Sequence, residues 1–162
     1  MRGAAVRGRL DLDGAEVTSW VFLHDCDFPE GISFQPSEAP ALSLDGSSIN
    51  ELYLRSASIG RRLSLRNTQL AATEEYALIG DAFTVGKNVH LEKASCRGLL
   101  SFLSADIRAQ LILAGAHLRA IRPDGPAVNA EGASVGDHVI GDSCSAEGGL
   151  FFANIPRILI RK

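Results

Sequence analysis

The 162-residue chain predicts an all-β fold, a right-handed parallel β-helix built as a four-sided solenoid of six to seven coils. Three observations predict it. Apolar residues recur as apolar-x-apolar-x-x-small-x-apolar, as in Leu52, Leu54, Ala57, Ile59 and again in Leu63, Leu65, Thr68, Leu70. The unit returns every ten or eleven residues along nearly the whole chain. The composition, 46% hydrophobic with a net charge of −3, is globular and can fill the core that such a rod needs.

Each element follows from the rhythm. A helix would space its apolar residues by three and four, and a lone strand by two throughout; this unit does neither. Two apolar residues flanking one x make a very short strand with one face inward. The three-residue step turns a corner, so one unit covers two sides and two units close a coil that pairs with its neighbours. The units begin with Leu10, Leu12, Ala15, Val17 and then Val21, Leu23, Cys26, Phe28. Ile32, Phe34, Ser37, Ala39 and Leu42, Leu44, Ser47, Ile49 lead into the pair starting at Leu52. Leu78, Gly80, Phe83, Val85 and Val89, Leu91, Ala94, Cys96 follow, then Leu100, Phe102, Ala105, Ile107 and Leu111, Leu113, Ala116, Leu118. Val128, Ala130, Ala133, Val135, then Val139, Gly141, Cys144, Ala146 and an incomplete Leu150, Phe152, Ile155 close the array, and a fragment, Ala4 and Val6, precedes it.

Small residues fill the third slot because a tight coil has no room for a large side chain on every side. Strand spacing makes the rod about 30 Å long, and the general twist and crossover preference sets its hand. A sandwich of many short strands is the alternative; its strands need not keep phase over such a length. Residues 1–162 are read as one domain; Pro156 and Arg157 break the fourth slot, so 156–162 (PRILIRK) reads either as a C-terminal cap or as part of a longer array.

Two insertions interrupt the rhythm. AATEEYA, between Leu70 and Leu78, exceeds the usual gap by four residues, and RAIRPDGPA, between Leu118 and Val128, by six. Both leave after the fourth slot of a second-half unit, hence from one corner, two coils or about 10 Å apart. Insertions gathered on one face of a solenoid are candidate binding loops. Glu74, Glu75 and Tyr76 offer acid and a ring; Arg122 and Asp124 offer a charged pair beside a Pro-Asp-Gly turn. The plain alternative is a pair of tolerated surface insertions.

Little else in the sequence carries chemistry. No nucleotide, hydrolase or metal motif occurs, so no cofactor and no metal are expected. Cys26, Cys96 and Cys144 fall in inward slots of different coils, too far apart to share a metal, and read as small buried hydrophobes. His24, His90, His117 and His138 are expected at outward or corner positions. Asp25, Asp27 and Glu30 near His24 read as a solvated acidic edge, with a weak cation site as the sharper alternative. Arg55, Arg61, Arg62 and Arg66 form a basic cluster, but a nucleic-acid stripe needs more cations and stacking aromatics, so nucleic acid is not expected. An odd number of widely spaced cysteines fits a reducing cytoplasm. No run of about 18 apolar residues exists to span a membrane.

Units such as LDLDGAEV, LSLRNTQL and LILAGAHL, with PDGPAVNAEGASVGDHV and CSAEGG, resemble the pentapeptide-repeat-like β-helix proteins of actinobacteria over about residues 4–155. The resemblance implies a right-handed quadrilateral coil and, usually, no known activity. The leading expectation is therefore a non-catalytic scaffold that binds a protein partner or associates through its rod ends, where ILIRK with Phe151 and Phe152 favours the C-terminal end. One alternative is a mimic of duplex DNA that binds type II topoisomerases, as some pentapeptide-repeat proteins do. Asp11, Glu16, Asp27, Glu38 and Asp106 are too few for a continuous acidic stripe. A second alternative is an enzyme, for which Glu74 or Glu75 with Tyr76 is the thin candidate.

Overall fold

The computed structural model describes residues 1–153 and 155–161. The fold is all-β, with parallel strands stacked as a solenoid of about 7 turns. Most strands have two residues, as in Leu52–Tyr53 and Leu63–Ser64. Four ladders run the length of the rod, one per face, and each joins equivalent slots of successive coils.

The first ladder pairs Leu10, Ile32, Leu52, Leu78, Leu100, Val128 and Leu150 in order. The second carries Ala39, Ile59, Val85, Ile107 and Val135. The third carries Val21, Leu42, Leu63, Val89, Leu111, Val139 and Ile158. The fourth carries Phe28, Ile49, Leu70, Cys96, Leu118 and Ala146. The chain visits these faces in that order, so one circuit is one coil. Ile158–Leu159, within the segment read as a cap, adds the seventh rung of the third ladder; Lys162 of that segment lies outside the described residues.

The turns explain why the rhythm is 2, 3, 2. In the first six coils the residue before each third slot has a positive φ, except in the turn where Pro36 stands. The third-slot amide bonds back to the second-slot carbonyl, as Ala57 N does to Leu54 O (3.0 Å) and Ala94 N to Leu91 O (3.1 Å). Positive φ at the third turn position alone, with that bond, is the type II pattern. It bends the chain tightly and keeps the second and third slots both facing inward.

Packing inside the coil is complementary by slot. Most third slots hold buried Ala, Ser or Thr, such as Ala94, Ala105 and Ala116. The hydroxyls there satisfy backbone groups: Ser37, Ser47 and Thr68 donate to the carbonyls of Leu12, Leu23 and Leu44 at 2.7, 2.8 and 3.0 Å. One coil reverses the assignment. Gly80 occupies the second slot and Phe83 the third, and the Phe83 ring stacks on Phe102 with centroids 5.7 Å apart. The large ring takes the space that the glycine vacates. Inward rows are only half-buried in the first and last coils, as at Leu10, Leu12, Leu150 and Phe152.

The outward rows hold the clearest departure from expectation. Ser33, Ser43, Ser64 and Ser101 point away from the core yet are buried. An aspartate in the turn of the preceding coil covers three of them. Ser33 donates to Asp13 at 2.6 Å, Ser64 to Asp45 at 2.6 Å, and Ser101 to Asp81. The same carboxylates accept the backbone amides of Gln35 (2.8 Å) and Arg66 (2.9 Å). His90 departs likewise: it lies on an outward row but is buried beneath Arg66 (2.8 Å) and Glu92 (3.0 Å). Asp45→Ala leaves the Ser64 hydroxyl and the Arg66 amide without their acceptor, so urea unfolding should show a loss of about 1–3 kcal/mol.

Candidate functional site

The site begins with the chain's departure from its own rhythm at one corner, between the fourth face and the first. Here the corner lengths alternate. After Leu70 the chain makes the first long excursion, after Cys96 it passes tightly through Arg97, Gly98 and Leu99, and after Leu118 it makes the second. A short corner thus lies between two long ones. The excursions stand two strand spacings apart, about 10 Å, and leave a notch one coil wide.

Both insertions are seated by the same device. The first does not leave the sheet as a free loop; it is part of a continuous strand, Gln69–Ile79, paired with Ser95–Ser101 through register shifts. Gly98, at φ 124°, lets it close: a Cβ there would lie 2.8 Å from Ala72 Cβ and 2.9 Å from Ala77 N. Two coils further on, Gly148 at φ 131° seats the second insertion, and a Cβ would lie 2.7 Å from Ala120 Cβ and 2.9 Å from Gly125 O. In each case an alanine pair brackets a glycine of the next coil.

The notch is a groove of about 420 Å³ lined by Glu74, Glu75, Leu99, Ala120, Ile121, Arg122, Gly125 and Pro126. Leu99 and Ala120 make a buried apolar floor, and Ile121 adds exposed apolar surface. Glu74 and Glu75 come from one insertion and Arg122 from the other. All three are exposed, and none joins an ion pair among the described residues. The volume falls within the range of small-ligand or peptide sites. The structure therefore brings Glu74, Glu75 and Arg122 together, but Tyr76 and Asp124, though exposed, do not line the groove.

Sequence reasoning missed the floor. Leu99 reads as a spacer in a regular corner, and only the glycine before it, between two insertions, signals that the coil is drawn in. The acid–tyrosine pair considered for catalysis does not converge on the groove, since Tyr76 is absent from its lining.

The thiols occupy inward slots. Burial pushes the Cys96 thiol up to about 12, and it also raises the half-buried Cys144. Tyr53 is raised by its hydrogen bond to Glu51 and by burial, and Arg9 lies over its ring at 4.4 Å. Among the described residues, no group of three His, Cys, Asp or Glu side chains is placed to hold a metal ion. No helix among them is long and apolar enough to cross a membrane.

Among the described residues, the strands of the first and last coils pair on one side only. The C-terminal end exposes Phe151, Ile158 and Ile160, and a second concavity of about 490 Å³ there includes Leu150, Phe151 and Phe152. Arg2, Arg7 and Arg9 stand near one end, and Arg157 and Arg161 near the other. Arg2 pairs with Asp25 and Arg9 lies over the Tyr53 ring, so these two cations are engaged along the rod. Comparison with known proteins finds no protein family that matches the chain and no curated protein similar to it.

Proposed function

We propose that the protein is a non-catalytic β-helical scaffold, a protein-interaction rod whose partner seats a segment in the notch. One observation carries this reading: both insertions leave the same corner, two coils apart, and form the walls of one groove over an apolar floor. Tolerated insertions have no reason to converge, or to be seated by matched glycines. The resemblance to pentapeptide-repeat proteins fits the four short faces and type II turns, and it implies, usually, no known activity. Association through the rod ends is the other form of this reading, with Phe151, Ile158 and Ile160 exposed in the last coil. The duplex-mimic reading gains nothing from Asp13, Asp45 and Asp81, which are engaged in bonds between coils.

The test is affinity capture from native lysate with three baits. They are the native chain, a variant with both insertions cut to the usual gap, and the variant Glu74→Lys/Glu75→Lys/Arg122→Glu, whose substitutions all lie on exposed side chains. A partner held by the native chain and lost from both variants supports the notch. A partner held equally by all three, or by none, contradicts it.

A further inference from the structure

The corner diagonally opposite the notch, between the second and third faces, also departs from the regular rod, in the opposite sense. The first, third and fourth coils turn it with three residues: Thr18–Ser19–Trp20, Gly60–Arg61–Arg62, Gly86–Lys87–Asn88. The second coil uses only Pro40 and Ala41. The rod is drawn in there, and Ala41 is buried. Side chains of the first and third coils meet across the dent. The Arg61 and Arg62 guanidinium carbons lie 5.9 and 5.7 Å from the centre of the Trp20 ring.

This brings together what the sequence keeps forty residues apart. Trp20 is the single tryptophan and is 46% exposed; Phe22, 5.8 Å from it, is 38% exposed. Together the two rings make a small exposed apolar patch. Arg61, Arg62 and Lys87 stand on two consecutive coils beside them, and no carboxylate among the described residues lies within ion-pairing reach of any of the three. The Arg62 Nε has no hydrogen-bond partner among the described residues. Tryptophan and arginine together are the composition of interface hot spots.

We propose that this corner docks an acidic segment of a partner protein that also carries an apolar side chain. Trp20 and Phe22 receive the apolar side chain, and Arg61, Arg62 and Lys87 receive carboxylates. A nucleic acid would also meet cations and a stacking ring, but three cations on two coils make a local patch, too short to track a phosphate backbone. The surface is independent of the notch, and either can fail without the other.

The single tryptophan supplies the readout. The full chain is titrated with the capped peptide Asp-Glu-Leu-Asp-Glu-Leu-Asp-Glu, its lysine counterpart, and oligothymidylate of matched charge, with Trp20 emission recorded. Saturable blue-shifted emission is expected with the acidic peptide alone. Affinity should fall about tenfold or more in Arg61→Glu/Arg62→Glu, and fall again as salt rises from about 0.05 to 0.5 M. Arg97→Glu, at the opposite corner, should leave it unchanged, and circular dichroism should show the same fold in each variant. Three results would each overturn the proposal: no saturable change, a change that survives the double reversal, or preference for oligothymidylate.

Discussion

Phe102→Ala should lower the unfolding free energy by about 3–5 kcal/mol, the upper range for a core truncation. The reason lies in its neighbours along the rod. The second-slot column on its side reads Leu54, Gly80, Phe102, Ala130, Phe152. Phe102 is fully buried, with glycine on one side and alanine on the other, so no large side chain stands ready to fill the hole. Phe83, which stacks on it, already fills the space over Gly80 and cannot serve both places. Solenoid stability is a sum of nearest-neighbour contacts, so the cavity weakens both coil interfaces that Phe102 joins. Urea unfolding reads the loss as a lower midpoint at unchanged slope. Phe152→Ala, in the half-buried last coil, should cost clearly less, about 1–2 kcal/mol.

Gly98→Ala is the second large effect, expected at about 2–4 kcal/mol from backbone strain and overpacking together. Gly98 has φ 124°, which an L residue rarely adopts, and the new Cβ would press on Ala72 Cβ and on the backbone nitrogen of Ala77. Backbone cannot swing aside as a flexible side chain can. The first insertion must lift, which also opens one wall of the notch. Gly14→Ala is the control: its φ is 72°, but nothing lies within 4 Å of the new Cβ, so only the left-handed penalty of about 1–2 kcal/mol applies. Equal losses for the two variants would mean that the insertion is not seated on Gly98.

The inward rows were legible because a solenoid makes each inward slot obey the same rule in every coil. Leu52, Leu63 and Leu70 are buried and pair with the equivalent slots that their spacing implied. The convergence of Glu74, Glu75 and Arg122 was legible for the same reason, since a count of residues fixes the corner from which a loop leaves. What stayed hidden depends on neighbours one coil away on the outside. Ser64 alternates with Leu63 and Leu65 and reads as exposed; only the register reveals Asp45 above it. His90 reads as solvated for the same reason. Trp20 falls in no slot, and its arginines come from two coils on. The one sequence signal was the corner between Ala39 and Leu42, a residue short, whose meaning depends on what the adjacent coils carry there.

The central claim is that residues about twenty apart stack one strand spacing apart along a four-sided rod. Pulsed electron-spin distances test it most directly. Spin labels are placed on the outward row of the second face, at Glu38 and Ser134 and then at Glu16 and Ser134, in a background carrying Cys144→Ser. Cys26 and Cys96 are buried, so they should not compete for label. Four coil steps separate the first pair and five the second. The backbone separations should be about 19 and 24 Å, growing by one strand spacing. Equal distances for the two pairs, or a shorter one for the second, would contradict the stacked coil, and with it the notch.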